Sequence, residues 1–222
     1  MVYQKLKDLE VLQCPCCQGL LRFNANDILC TECQQTFPVQ NGVPLFSIQD
    51  IEGKGMNTSL EKIQLKDLRV KYPFLIQAYK WFTPPTLNSL RRKESRIPSY
   101  TKIATQNPNH IVLDMGAGRK KEPDVIALDL YPFAGIEVCA NAERLPFKDD
   151  SVDMVISDNS MEHVSNADAV LKEMRRIIKP GGLVYIIVPF LFPYHPEPFD
   201  FKRWTSQGMQ NEFPNFKCLE MG

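Results

Sequence analysis

The chain has 222 residues, 26 Lys and Arg against 26 Asp and Glu, and a formal net charge of zero, with 44% apolar and 23% charged residues. These are globular values, with material for one ordinary domain plus a small one and no overall polyanion-binding signal. No run of about 18 apolar residues reads as a membrane span, and the start "MVYQKLKDLEVLQCPCC" lacks the continuous apolar core of a signal peptide, so a cytoplasmic location is expected.

Residues 1–50 carry short apolar runs, "LLRF", "ILC" and "VPLF", which predict brief strands separated by turns. Five of the seven cysteines fall within residues 14–33, a clustering that suits metal binding in a reducing compartment better than a disulfide framework. "CPCC" and "CTEC" supply two C-x-x-C pairs, Cys14 with Cys17 and Cys30 with Cys33, twelve residues apart. Four thiolates complete the tetrahedral shell that Zn2+ prefers and leave no open position, so the ion is read as structural. Cys16 is surplus in this register, and a ligand set that includes it stays open. The flanking pattern, Gly19-Leu20 after the first pair, then Phe37-Pro38-Val39 and Gly42-Val43-Pro44 after the second, resembles the zinc-ribbon activators of methyltransferases that act on tRNA and translation factors. That resemblance implies a helper unit, here fused to what it helps.

Residues 51–103 read as a helical basic linker. "SLEKIQLKDLRVKYPFLIQAYKWF" places Leu60, Ile63, Leu65 and Leu68 at helical spacing until Pro73 interrupts it. Residues 60–103 hold ten Lys and Arg against three Asp and Glu. This is a solvated face or a contact surface for an anionic partner.

Residues 104–222 alternate strand and helix patterns. Strands are predicted at Ile111–Asp114, Val125–Asp129, Ile136–Cys139, Met154–Ser157 and Leu183–Val188. Between the last two, "NADAVLKEMRRIIKPGG" reads as a helix capped by Asn166 or Asp168, with Val170, Leu171, Met174 and Ile177–Ile178 on its apolar face, stopped by Pro180-Gly181. This alternation predicts an α/β fold with a doubly wound parallel sheet. The first two crossovers are short. Six residues, Arg119 to Asp124, separate Gly118 from the second strand, and five, Tyr131 to Gly135, precede the third. A dinucleotide fold wants a third glycine three residues after Gly118 and a helix facing the pyrophosphate. Here Lys121 stands at that position and the helix has no room. A nucleoside cofactor without phosphates does not need that cradle.

The order of these segments resembles class I S-adenosylmethionine-dependent methyltransferases, and specifically their metabolite-modifying group that includes quinone-biosynthesis enzymes. "VLDMGAG" matches the first motif, which implies that Asp114, Gly116 and Gly118 border the methionine and ribose. Asp129 would then accept from both ribose hydroxyls. "NAERLPF" implies that Asn141 and Ala142 lie beside the adenine, with Asn141 where Asp is common. "DNSMEHV" resembles the turn after the fourth strand, and "LKEMRRIIKPGGLVYIIVP" the helix, turn and fifth strand. The resemblance spans residues 110–189 and implies a Rossmann-like methyltransferase fold plus the N-terminal β-rich ribbon. Lys120 and Lys121 are candidate contacts to the cofactor carboxylate.

After the fifth strand, "PFLFPYHPEPFDFKRWT" gathers aromatics around His195, Asp200 and Arg203. This is a candidate lid over an acceptor, with His195 the candidate general base for a hydroxyl nucleophile. The alternative is that the aromatics close the core and His195 caps a turn among Pro193, Pro196 and Pro198. "SDNS" lacks the motif of enzymes that methylate exocyclic or amide nitrogens, so a small-molecule acceptor, methylated at oxygen, is favoured over nucleic acid. A methyltransferase for RNA or a translation protein, and a non-catalytic partner of another methyltransferase, are the rivals. "NFKCLEMG" is read as a sixth strand, and the missing seventh as a sign that residues 104–222 form a truncated domain. Nothing in the pattern specifies an oligomeric state.

Overall fold

The structure is a computed structural model that describes residues 2–47, 97–104, 106–119, 124–195 and 199–221. Most of the proposed linker, with Leu60, Ile63, Leu65, Leu68 and Pro73, lies outside the described residues, as do Lys120, Lys121, Pro196 and Pro198.

The N-terminal part opens with helix α1 (Val2–Asp8), where the sequence pattern predicts strands alone. Its Leu6 is fully buried. Four short strands follow, β1 (Leu21–Phe23), β2 (Asp27–Cys30), β3 (Thr36–Gln40) and β4 (Val43–Pro44), paired antiparallel in chain order. The β3–β4 hairpin turns through Asn41 and Gly42, both at positive φ, where a side chain costs least on Asn and nothing on Gly.

The second part begins with helix α2 (Ile97–Ala104), followed by β5 (Val112–Met115), β6 (Ile126–Asp129), β7 (Val138–Cys139) and β8 (Val152–Asp158). After a 3₁₀ turn at Met161–His163 come helix α3 (Ala167–Ile177), β9 (Ile178–Ile187) and helix α4 (Ser206–Asn211). All neighbours in the five-stranded sheet are parallel, in the order β7-β6-β5-β8-β9. This is the Rossmann-like arrangement expected, with its first crossovers shortened.

Side chains alternate between the faces, as a strand's period of two requires. Leu113, Met115, Ile126, Leu128 and Val155 join one core cluster with Val170, Leu171, Met174 and Ile177 of α3. Val112, Met154 and Ile156 join another with Tyr100 of α2. The β7–β8 connection also lacks a helix, so α3 is the one crossover helix among the described residues.

The N-terminal part supplies cover for the bare region. Leu12 bridges to Phe147, flanked by Gln13 N–H donating to Pro146 O (3.1 Å) and Lys148 N–H to Val11 O (2.8 Å). Leu12 and Phe46 enter the α3-side core, while Leu45 packs with Ala127, Ile136 and Cys139 on the opposite face. Leu45 also bridges to Cys139, so the sheet edge at β7 is straddled and not left open. Arg176 of α3 fixes the loop that receives this contact. It donates to Phe147 O (2.6 Å) and Leu145 O (3.1 Å) and pairs with Glu173 (2.7 Å) and Asp149 (2.8 Å).

Two expectations are corrected. The strand expected from Leu183 starts at Ile178, immediately after α3, because Lys179 before Pro180 is biased to extended backbone; the irregularity the Pro-Gly pair causes is taken up as a register shift opposite Val152–Met154. The sixth strand expected in "NFKCLEMG" is irregular chain from Phe216 to Met221, with β9 the last strand of the described sheet and Tyr100 Oη donating to Glu220 Oε2 (2.8 Å). Among the described residues no helix is long and apolar enough to cross a membrane.

Candidate functional site

Strand order reverses between β5 and β8, the switch point at which parallel sheets open a crevice beyond their carboxyl ends. The turn after β5 lies there. Gly116 N–H and Ala117 N–H both donate to Leu128 O (2.9 and 3.1 Å), folding the turn back over β6. Gly116 sits at φ +76°, and a Cβ there would lie 2.5 Å from that of Ser160. Ser160 in turn donates to Met115 O (3.1 Å) and shares a hydrogen bond with Ser157 (2.7 Å), so the turn closes against the end of β8. Gly118, at φ +60°, faces open space.

Asp129 ends β6 with its carboxylate drawn to this turn: Oδ2 accepts from Gly118 N–H (2.9 Å) and Oδ1 from Tyr131 N–H (3.0 Å). Burial pushes its carboxyl above the usual range, against the N–H groups of Tyr131, Gly118 and Leu130. Each oxygen keeps a lone pair for a further donor. Asp114 is buried within β5. Beyond β7, Asn141 Oδ1 accepts from Glu143 N–H (2.9 Å), a local turn that engages the amide oxygen, and Ala142 is half-buried against the core. The structure thus brings Gly116, Gly118 and Asp129 together, with Asp114 on the strand before the turn.

A second group lies after β8 and β9. Glu162, in the 3₁₀ turn, is fully buried, with His163 and His195 beside it. Burial pushes the Glu162 carboxyl up, while its own backbone N–H, His163, His195 and Arg203 act against that. Asp200 and Arg203 form a two-pronged ion pair, and Asp200 Oδ2 accepts from His195 N–H (2.9 Å). Hydrogen bonding to Arg203 holds the Asp200 carboxyl well below the usual carboxylate range. His195, Asp200 and Arg203, singled out together from the loop, are therefore neighbours in space. Of the aromatics, Phe190, Tyr194, Phe199 and Phe201 are exposed, while Trp204 is buried in the core. Sequence reasoning missed Glu162. The "EH" pair was visible only as a turn entering a helix, and no spacing rule marks a buried carboxylate.

The four cysteines converge as expected. Cys14 and Cys33 sulfurs are 3.7 Å apart and Cys17 and Cys30 sulfurs 3.4 Å, all four within 4.8 Å. A tetrahedral Zn–S shell with bonds of about 2.3 Å has edges of about 3.8 Å, so the set fits. In Cys30, burial raises the thiol but the N–H groups of Cys33 and Glu32 outweigh it, bringing it to about 7. Cys16 is exposed and stands outside the group. A hollow of about 340 Å³ lies between this cysteine turn and Glu143–Leu145, sharing no lining residue with the glycine turn or the Glu162 group.

Residues 108–186 match the family model described as "Methyltransferase domain". Among curated proteins, the chain is 32% identical over 89 residues to the ubiquinone/menaquinone biosynthesis C-methyltransferase UbiE of Cupriavidus necator, covering 37% of either chain. It is 47% identical over 57 residues to an uncharacterized methyltransferase of Mycobacterium leprae, covering 26% of this chain and 21% of the relative. The chain spans well under half the length of the curated relatives it matches, between 16% and 40%. Among solved structures, the BH2331 protein of Bacillus halodurans is 18% identical with a TM-score of 0.43, covering 55% of this chain and 68% of that one.

Proposed function

We propose, for a chain that carries a class I S-adenosylmethionine-dependent methyltransferase domain, that this domain is active and methylates an oxygen of a small metabolite or saccharide-like acceptor. The observation that carries the reading is the Asp129 carboxylate, turned toward the Gly116–Gly118 loop at the switch point with a lone pair spare on each oxygen. A ribose diol offers two donors to such a group, and no phosphate needs to be gripped. Asp129 would hold the diol, Gly116 and Gly118 would let backbone approach the ribose and methionine beside Asp114, and Asn141 and Ala142 would flank the adenine. When bound, S-adenosylmethionine supplies a methyl group on an electrophilic sulfonium.

The chain's own contribution is positioning and dehydration, which lower the barrier of an in-line displacement more than any proton transfer does. Ser160, fixed to Met115 O, keeps the crevice at its set width. The exposed Phe190, Tyr194, Phe199 and Phe201 are available to cover an acceptor and exclude water. A hydroxyl acceptor must shed its proton, and His195, partly exposed beyond the end of β9, would take it while no ion holds its Nε2. The UbiE relative is a C-methyltransferase by name. With just over a third of each chain matched, its accepting atom is not carried over. The N-terminal unit would hold zinc through Cys14, Cys17, Cys30 and Cys33 and serve as a built-in stabilising partner.

Calorimetry on zinc-loaded full chain tests this. Binding of both S-adenosylmethionine and its demethylated product is expected. Heat from neither, or from a nicotinamide dinucleotide instead, overturns it.

A further inference from the structure

Glu162 poses a problem that cofactor binding does not solve. It is fully buried, and apart from its own backbone N–H neither carboxylate oxygen meets a hydrogen-bond donor among the described residues. A buried carboxylate left so is costly unless a cation or proton compensates it. The nearest polar atoms are two imidazole nitrogens, His163 Nε2 at 3.8 Å and His195 Nε2 at 3.7 Å, both measured to Oε1 and both beyond hydrogen-bonding distance.

The opposite nitrogen of each ring decides what Nε2 carries. His163 Nδ1 lies 2.5 Å from Phe199 O, which can only accept, so Nδ1 holds the proton and donates. His195 Nδ1 faces two acceptors, Pro193 O at 3.2 Å and Asp200 Oδ2 at 3.2 Å. Arg203 Nη2 also reaches His195 Nδ1, at a longer 3.5 Å, but its shorter bond is to Asp200 Oδ2 at 2.7 Å. In this tautomer each ring bears its proton on Nδ1 and a lone pair on Nε2. Three lone-pair atoms thus converge within 4.8 Å, with no donor from another described residue on the carboxylate.

We infer that Glu162, His163 and His195 form a site for a divalent first-row transition-metal ion, manganese, iron, cobalt or zinc. Two imidazoles with one carboxylate select against the all-oxygen preference of calcium and magnesium. Bonds of about 2.1 Å place adjacent donors about 3.0–3.4 Å apart, so the two carboxylate–imidazole gaps of 3.7 and 3.8 Å would each close by about 0.3–0.8 Å on binding. The outer shell is in place: Phe199 O orients one ring, and Asp200, fixed by Arg203, orients the other. Three protein ligands leave positions for other donors. Glu162 lies two residues from Ser160, which closes on the glycine turn. On the methyl-transfer reading, on which this last step rests, the open positions take an oxygen-bearing acceptor.

The test is a titration of full chain, first loaded with one equivalent of zinc, which the four thiolates take in preference. Mn2+ is then added and the free-ion resonance signal followed. One further equivalent should be taken up, with a rise in the unfolding midpoint. His195→Gln, at a partly exposed position, should weaken uptake at least tenfold while the metal-free midpoint stays put. Asp200→Asn, which touches no ion, should weaken it about tenfold. No uptake by the unaltered protein, or equal uptake by His195→Gln, overturns the site. Cofactor calorimetry on the same preparation separates the readings. Cofactor binding without Mn2+ uptake sinks the metal site alone, and uptake without cofactor binding sinks the methyl-transfer reading alone.

Discussion

The antiparallel unit at residues 21–44 and the parallel sheet at residues 112–187 are held together by different means. The first has strands of two to five residues and only Ile28, Cys30, Phe37 and Pro44 buried within them; its closure comes from four sulfurs. The second has an almost wholly buried centre in β5, β6 and β8, where apolar burial contributes roughly 1.5–3 kcal/mol per large side chain. Yet it is the larger unit that is incomplete by itself. With α3 the one crossover helix among its described residues, it takes Leu12 on one face and Leu45 on the other. A small cysteine-closed module here covers faces that no described crossover helix covers.

The strongest way to break this comparison is to remove the metal. Cys30→Ser, or chelation of zinc, should melt the antiparallel unit outright, since such units draw most of their folding free energy from the ion. From sequence alone, the damage would stop there and spare the cofactor contacts. The Leu12–Phe147 and Leu45–Cys139 bridges predict otherwise. The whole chain's midpoint should fall by on the order of 10 °C, equivalent to roughly 3–5 kcal/mol at this size. Two independent melting transitions, the second unshifted, would show that the units do not share a core.

Phe147→Ala attacks the junction directly. The ring is fully buried between the Leu12 bridge and the loop that Arg176 holds. A loss of about 3–5 kcal/mol in denaturant unfolding is expected. Leu45→Ala, on the other face and at the thinner contact, should cost less, about 2 kcal/mol. The reverse ranking would place the main contact at β7.

Asp129→Asn sharpens the functional side. Losing a charge-assisted clasp on a diol should weaken S-adenosylmethionine binding about 100-fold, at roughly 1.5–3 kcal/mol per bond. Stability should move the other way. Burial raises the folded carboxyl above its ordinary value of 3.8. Its contribution is thus fully present below that value and lost as pH rises through the raised folded pKa. At pH 7 the cofactor-free Asn variant should be at least as stable as the parent, and the difference should vanish toward about pH 4. A variant less stable at pH 7 would mean that the carboxylate is structural.

Much of this was legible in the chain. β5, β6 and β8 were announced by the short apolar runs 111–113, 125–128 and 154–156, as burial of both faces requires, and the six-residue gap after Gly118 is too short for the usual crossover helix. The cysteine spacing located the sulfur cluster to the residue. Helix α1 was not visible, since only its Leu6 is buried among the described side chains and one apolar position has no period. "NFKCLEMG" has strand-like residues but no partner ladder, and pairing is a tertiary fact. Glu162 escaped for the same reason: its burial depends on what the fold brings over it, including His195 from beyond β9, and not on His163 beside it alone.

The smallest expected effect is also the cleanest control. Asn166 Oδ1 accepts from Ala169 N–H (3.2 Å) and caps α3, the crossover helix whose apolar face packs on the sheet. Asn166→Ala should cost about 1 kcal/mol, a drop of roughly 2–4 °C in the midpoint. Because Glu173 and Arg176 sit near the helix's other end, the loop at Phe147 keeps its anchors. Zinc affinity of the cysteine cluster should therefore be unchanged within error when measured by competition with a chelator. If fraying the first turn of α3 weakens zinc binding as well, then the junction is not a local patch around Phe147. Helix, loop and metal unit would be one cooperative body, and the division into a helper and a helped sheet would describe the sequence better than the folded protein.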